Sequence, residues 1–173
     1  PRSDRWKAQA KTAGPRRRFL CGYPLMRRFP SILATALTAA LLALAGCSVQ
    51  SGPELSAPDA LAQAESGQLT IIDIRTPQEW RQTGVGKGVQ RLDMRHPGGP
   101  KGFVADVLAS VGGDRSAPIG LLCRTGNRSG RIQRLLLDDG FTQVFNVREG
   151  MAGSSAGPGW IKRGLPVEPC ARC

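Results

Sequence analysis

Three short apolar runs constrain this chain more than any other feature: LTIIDI (69–74), PIGLLC (118–123) and QVFNV (143–147). A continuous apolar run of this length is the pattern of a strand buried on both faces of a sheet. Helical segments separate them. Asp59 is placed to cap DALAQAES, which stops at Gly67. Thr76-Pro77 opens PQEWRQT, with threonine as the cap and proline in the first turn. FVADVLASV (103–111) repeats its apolar residues at helical spacing and stops at Gly112-Gly113. SGRIQRLLLDDG (129–140) gathers Ile132, Leu135 and Leu136 on one face and ends at Gly140. A weaker strand, VQRLDM (89–94), follows a loop at 84–88 and precedes the turn HPGGP. Strands alternating with helices predict an α/β fold with a mostly parallel sheet.

The net charge of +11 at first suggests a nucleic-acid partner, but its distribution argues against one. Residues 1–28 hold nine of the 24 basic residues and one of the 13 acidic ones, so most of the excess lies there. A basic patch on the folded domain is what nucleic-acid binding would need.

The N-terminal region reads as a targeting segment. From Met26, Arg27 and Arg28 form a positive start, Ile32 to Leu44 an apolar centre, and small residues follow. The centre falls short of the roughly 20 apolar residues that a membrane-spanning helix needs. The ending Leu44-Ala45-Gly46-Cys47 resembles the bacterial lipobox, which implies a lipidated Cys47 after a signal peptide at 26–46. An ordinary secretory cleavage site is the alternative. Residues 1–25 are read as a non-native or over-extended segment. Arg16-Arg17-Arg18-Phe19-Leu20 resembles a twin-arginine export motif, but Pro24, Arg27, Arg28 and Pro30 interrupt the apolar run that should follow. Residues 47–57 are then the anchor cysteine and a polar linker, suited to spacing a domain from a membrane. The expected location is the periplasmic side of a membrane, held through the lipid; a soluble periplasmic protein is the alternative.

Export bears on the cysteines. An oxidising compartment permits disulfides, so Cys170 and Cys173 in the tail (169–173) are a candidate pair; two idle thiols are the other reading. No second CxxC exists and the lone His96 is distant in sequence, which argues against a structural metal site.

Cys123 stands apart. It ends a buried strand, where α/β folds place their ligands. The residues after it, Arg124, Thr125, Gly126, Asn127, Arg128 and Ser129, are basic, small or polar and lead into a helix. Free amides and the dipole at a helix start favour an anion. Gly126 permits a positive φ, so successive N–H groups can point into one concavity. Two arginines add positive charge, and all of these favour a thiolate over a thiol of ordinary pKa about 8.5. A core cysteine before a surface turn accounts for PIGLLC but not for the six residues that follow.

A Cys–His hydrolase needs a base, and the one histidine, His96, sits in a Gly/Pro-rich turn. A cysteine-dependent phosphatase also cradles an anion, but its loop is Cys-x5-Arg. Here four residues separate Cys123 from Arg128, a cradle one residue too tight for a phosphoryl group.

Cys123-Arg-Thr-Gly-Asn-Arg-Ser129 resembles the active-site loop of rhodanese-like sulfurtransferases. Ile71-Ile-Asp-Ile-Arg-Thr-Pro-Gln-Glu-Trp80 is similar to that family's early signature, a D-x-R followed by P-x-E-aromatic. Val144-Phe-Asn-Val-Arg-Glu-Gly-Met151, Gly159-Trp160 and Gly164-Leu-Pro166 resemble its closing segment. The chain departs from the family where many members have H-I-P-G-A and here the sequence is TGVGKGVQ. It also carries extra residues in GMAGSSAGPGWIKRG.

The resemblance implies one rhodanese-like domain over 58–168, with a mostly parallel sheet of about five strands flanked by helices. It implies that Cys123 takes a sulfane sulfur as a persulfide and passes it on. The donor would be a small anion such as thiosulfate, or a persulfide; the acceptor would be a thiol- or cyanide-like nucleophile. Loop amides at 124–128 would stabilise the persulfide, while Arg124 and Arg128 would attract the donor. A carrier or binding module without turnover is the alternative. Asp73 and Arg75 are expected to be structural, and Trp80 and Trp160 packing residues or pocket wall. No cofactor, metal or nucleic acid is implied, and no protein partner is named.

Overall fold

The computed structural model describes residues 52–173. The expected signal peptide, Cys47 and the segment 1–25 lie outside the described residues.

The elements in chain order are β1 (Glu54–Leu55), α1 (Ala57–Glu65), β2 (Thr70–Asp73), α2 (Pro77–Thr83), β3 (Val85–Gly86), β4 (Gln90–Arg91), α3 (Gly99–Ser110), β5 (Ile119–Leu122), α4 (Asn127–Asp138), β6 (Val144–Val147), α5 (Gly159–Lys162) and β7 (Val167–Glu168). Five strands form the main sheet in the order β1-β6-β5-β2-β4, and each neighbouring pair is parallel. The α/β class and the five-stranded parallel sheet flanked by helices agree with the expectation. β5, the strand before Cys123, is central.

Two apolar layers cover the sheet, and strand alternation decides which residue joins which. Ile72, Ile74, Ile119, Leu121 and Cys123 face one layer, with Phe103 and Val107 of α3 and Ile132 and Leu136 of α4. Leu69, Ile71, Leu122 and Val147 face the other, with Ala57 and Ala60 of α1 and with Trp160 of α5. Burial on both faces is why these strands are written as largely apolar runs.

Several boundaries differ from the sequence reading. Ser56, not Asp59, caps α1: its hydroxyl accepts the Asp59 amide at 3.2 Å, and Pro58 sits in the first turn. Glu54 and Leu55, read as linker, pair with Asn146 and Val147 as an edge strand. Two residues carry no periodicity, so this pairing leaves no trace in the sequence. The expected strand 89–94 contracts to Gln90–Arg91, both exposed at the opposite edge. α3 begins four residues earlier than its apolar pattern, because Gly99 and Pro100 form its first turn. β3 and β7 make a separate antiparallel pair that returns the C-terminal segment to the domain.

Candidate active site

Cys123 follows directly on β5, and Gly126 and α4 come next. Gly126 has φ +82°, as the anion-nest reading required, and α4 starts at Asn127, two residues sooner than expected. The Cys123 sulfur receives the Gly126 amide at 3.2 Å, the Ser129 amide at 3.5 Å and lies 3.3 Å from the Ser129 hydroxyl. These donors come from the loop and the first turn of α4, where backbone N–H groups have no partner within the helix.

Asn146 holds this arrangement from below. Its Oδ1 accepts the Ser129 hydroxyl at 2.7 Å, and its Nδ2 donates to the Gly126 carbonyl at 3.1 Å. The hydroxyl carries one proton, so Asn146, the Gly126 carbonyl and the sulfur compete for it. Asn146 was missed in the sequence, although an amide inside the run QVFNV was a visible signal: a buried polar side chain requires partners.

The glycine-rich closing segment lies against the other side of the loop. Met151 donates its amide to the Cys123 carbonyl and Ala152 to the Arg124 carbonyl, both at 2.9 Å. Gly150 makes this approach possible. At φ +67°, a Cβ there would lie 2.5 Å from the Arg124 carbonyl oxygen. Gly126 is equally confined, since its Cβ would fall 2.0 Å from the Arg148 carbonyl oxygen.

Two features of the site are not visible in the sequence. Cys123, at the carboxyl end of β5, is fully buried, with 0% exposure. The loop curls back over the sulfur instead of opening away from it, so the cysteine is at once part of the apolar layer and the focus of the loop. Arg128 makes a two-pronged ion pair with Glu79, at 2.5 and 2.8 Å. Its hydrogen bond to Glu79 holds its pKa above the usual arginine value despite burial, with a lesser contribution from Cys123. Hydrogen bonding to Arg128 pulls the Glu79 pKa down to about 2; partial burial opposes this, and the Thr76 amide and hydroxyl assist it.

Glu79 also completes the helix cap. Its carboxylate accepts the Thr76 amide at 3.1 Å while the Thr76 hydroxyl accepts the Glu79 amide at 3.2 Å. The Thr-x-x-Glu pattern is readable in the sequence as a capping box. Its second duty, across to the cysteine loop, is not.

Arg124 remains exposed, at a cleft of about 200 Å³ that it shares with Glu79, Gln82, Thr83, Met151 and Ile161. Asn127 meets the Arg148 guanidinium at 3.2 Å, and Thr125 is half-buried in the loop. Asp73 and Arg75 form a buried pair at 2.7 Å. Arg75 also donates to the Thr83 hydroxyl and the Gly84 carbonyl, which ties the end of β2 to the end of α2. Trp80 and Trp160 are buried; Trp160 donates to the Pro166 carbonyl at 3.0 Å. Cys170 and Cys173 are joined as a disulfide.

The inserted residues before Trp160 are fastened by Glu149. This buried carboxylate accepts the Ala57 and Gly159 amides and the Arg163 side chain. Burial disfavours its charge, but these donors outweigh burial and hold its pKa below the ordinary value.

The fold and site define an α/β domain in which the central strand of a parallel sheet delivers a cysteine to two backbone amides at a helix start. The rhodanese-like domain model matches residues 56–156, and the chain belongs to that family. An uncharacterised protein of Rickettsia conorii is 29% identical over 102 residues, covering 56% of this chain and 80% of its own. A protein named sulfurtransferase from Allochromatium vinosum is 27% identical over 104 residues, covering 60% and 82%. The polysulfide-sulfur transferase homodimer of Wolinella succinogenes shares the fold, with a TM-score of 0.54 at 23% identity, covering 82% of this chain and 96% of that one.

Proposed function

We propose that this protein transfers sulfane sulfur through a persulfide on Cys123. The observation that carries the reading is the set of donors on one sulfur: the Gly126 and Ser129 amides and the Ser129 hydroxyl. Such donors stabilise an anionic sulfur during the reaction. Family membership and the named sulfurtransferase relative support the same chemistry.

With thiosulfate as donor, the Cys123 thiolate attacks the outer sulfur, the sulfur–sulfur bond breaks and sulfite leaves. The persulfide anion then gives its outer sulfur to an acceptor. Cyanide would leave as thiocyanate and restore the thiolate. Covalent transfer in two halves requires ping-pong kinetics. Arg124, exposed at its cleft, is the residue suited to meeting an anionic donor. In a phosphatase the loop arginine must grip the substrate; here Arg128 is occupied by Glu79.

The complete burial of Cys123 favours a second reading, a module that holds sulfur without rapid turnover. Incubation with thiosulfate followed by intact-mass measurement, alongside a cyanide turnover assay, separates the two. A stable added sulfur without thiocyanate production assigns the carrier role. No added sulfur on Cys123 from thiosulfate or from polysulfide overturns both. We further propose export with a lipid on Cys47, resting on the order of basic, apolar and small residues at 26–47. Metabolic labelling with a fatty acid, lost in Cys47→Ser, tests it.

A further inference from the structure

The C-terminal CxxC has no part in the sulfur chemistry above, yet it is held in an unusual setting. β7 pairs with β3, with Val167 opposite Gly86 and Glu168 opposite Val85. This brings the following residues against α2 and β4. Arg81 donates to the Cys173 carbonyl, and Arg91 Nη1 reaches both Cys170 Sγ and Cys173 Sγ. Ala171 and Arg172 are exposed, and a cleft of about 310 Å³, lined by Arg81, Thr83, Val167, Pro169 and Cys170, opens beside the bridge.

The bridge joins residues three positions apart. Closing so short a loop constrains the unfolded chain least, so stability gives little reason for it. Cations beside sulfur have a different effect. They favour the thiolate and thereby the reduced form, which makes a disulfide more oxidising.

We propose that Cys170–Cys173 is a redox-active disulfide that exchanges with thiol and dithiol substrates, with Arg91 stabilising the thiolate it releases. A substrate thiolate attacks one sulfur, a mixed disulfide forms, and the Cys170–Cys173 bond breaks. The cysteine set free is a thiolate beside the Arg91 guanidinium. A second substrate thiolate then attacks the mixed disulfide and releases the other cysteine. The substrate leaves as a disulfide, its two electrons now on Cys170 and Cys173; one cysteine takes up a proton, and the other stays a thiolate beside Arg91 while the second proton passes to solvent.

The test is equilibration of the full chain in graded mixtures of reduced and oxidised glutathione, followed by acid quench and alkylation. A lysine-specific protease then releases the peptide after Lys162, whose mass reports this pair apart from every other cysteine. Thiol counts on this pair do not depend on Cys123, so failure here leaves the sulfur-transfer reading untouched. The pair should titrate within the glutathione range. Arg91→Gln should shift the equilibrium about tenfold toward the disulfide, about 30 mV for a two-electron couple. Arg91→Lys should restore part of that shift. A pair that stays oxidised throughout the series while the protein remains folded overturns the proposal. So does an Arg91→Gln variant that titrates with the wild type.

Discussion

One carboxylate, Glu79, closes the N-terminal cap of α2 and grips Arg128 at the first turn of α4, 49 residues away. The cysteine loop is therefore anchored to the helix that follows β2. Glu79→Gln keeps the shape but weakens the ion pair, and should lower the urea unfolding free energy by about 1 kcal/mol, since partial exposure screens the pair. An unchanged midpoint would show that the grip carries no stability.

The same pair has a pH signature. The Glu79 pKa falls from an ordinary 4.5 to about 2 on folding. Its contribution is complete above 4.5 and is lost as pH falls towards 2, because over that interval the unfolded chain binds the extra proton. The stability gap between wild type and Glu79→Gln should be flat near neutrality and shrink in acid. Denaturant titrations across that range measure it.

Cys123→Ser should abolish sulfur loading from thiosulfate. Ser129→Ala removes one donor and leaves the amides, so sulfur transfer should fall roughly hundredfold to thousandfold in kcat, the scale seen when one oxyanion donor is removed. Asn146→Ala should also lower transfer, because its Nδ2 no longer holds the Gly126 carbonyl and with it the loop around the sulfur. Steady-state thiocyanate formation reads all three.

Gly150→Ala places a methyl group against the Arg124 carbonyl in a backbone region that disfavours side chains. It should cost more than about 2 kcal/mol. Gly88→Ala is the control. It has φ +73° but no atom within 4 Å of its Cβ, so only the backbone term of about 1–2 kcal/mol remains. Paired thermal and urea unfolding gives the difference.

Cys123 is buried, so iodoacetamide should modify it far more slowly in the native protein than in urea. Reaction in the native state then reports local opening of the loop. Equal rates in the two states would contradict the covered sulfur.

Much of this molecule is written locally. Apolar runs at 69–74, 118–123 and 143–147 specify buried strands, because burial on both faces favours apolar residues and admits a polar one only where it finds partners, as Asp73 and Asn146 do. Thr76-Pro77 and Gly126 mark a helix cap and a tight loop, since each conformation accepts few residue types. The spacing from Cys123 to Arg128 needs no fold to be counted. What the sequence alone could not supply are relations between segments far apart in the chain. That Arg128 is bound by Glu79, that Asn146 sits beneath Gly126, and that the CxxC returns to Arg91 depend on which elements the sheet brings together. Even the burial of Cys123 belongs here, because a loop that curls over its sulfur and one that opens away carry the same residues. Periodicity and turn chemistry act within a few residues; tertiary packing alone chose those partners.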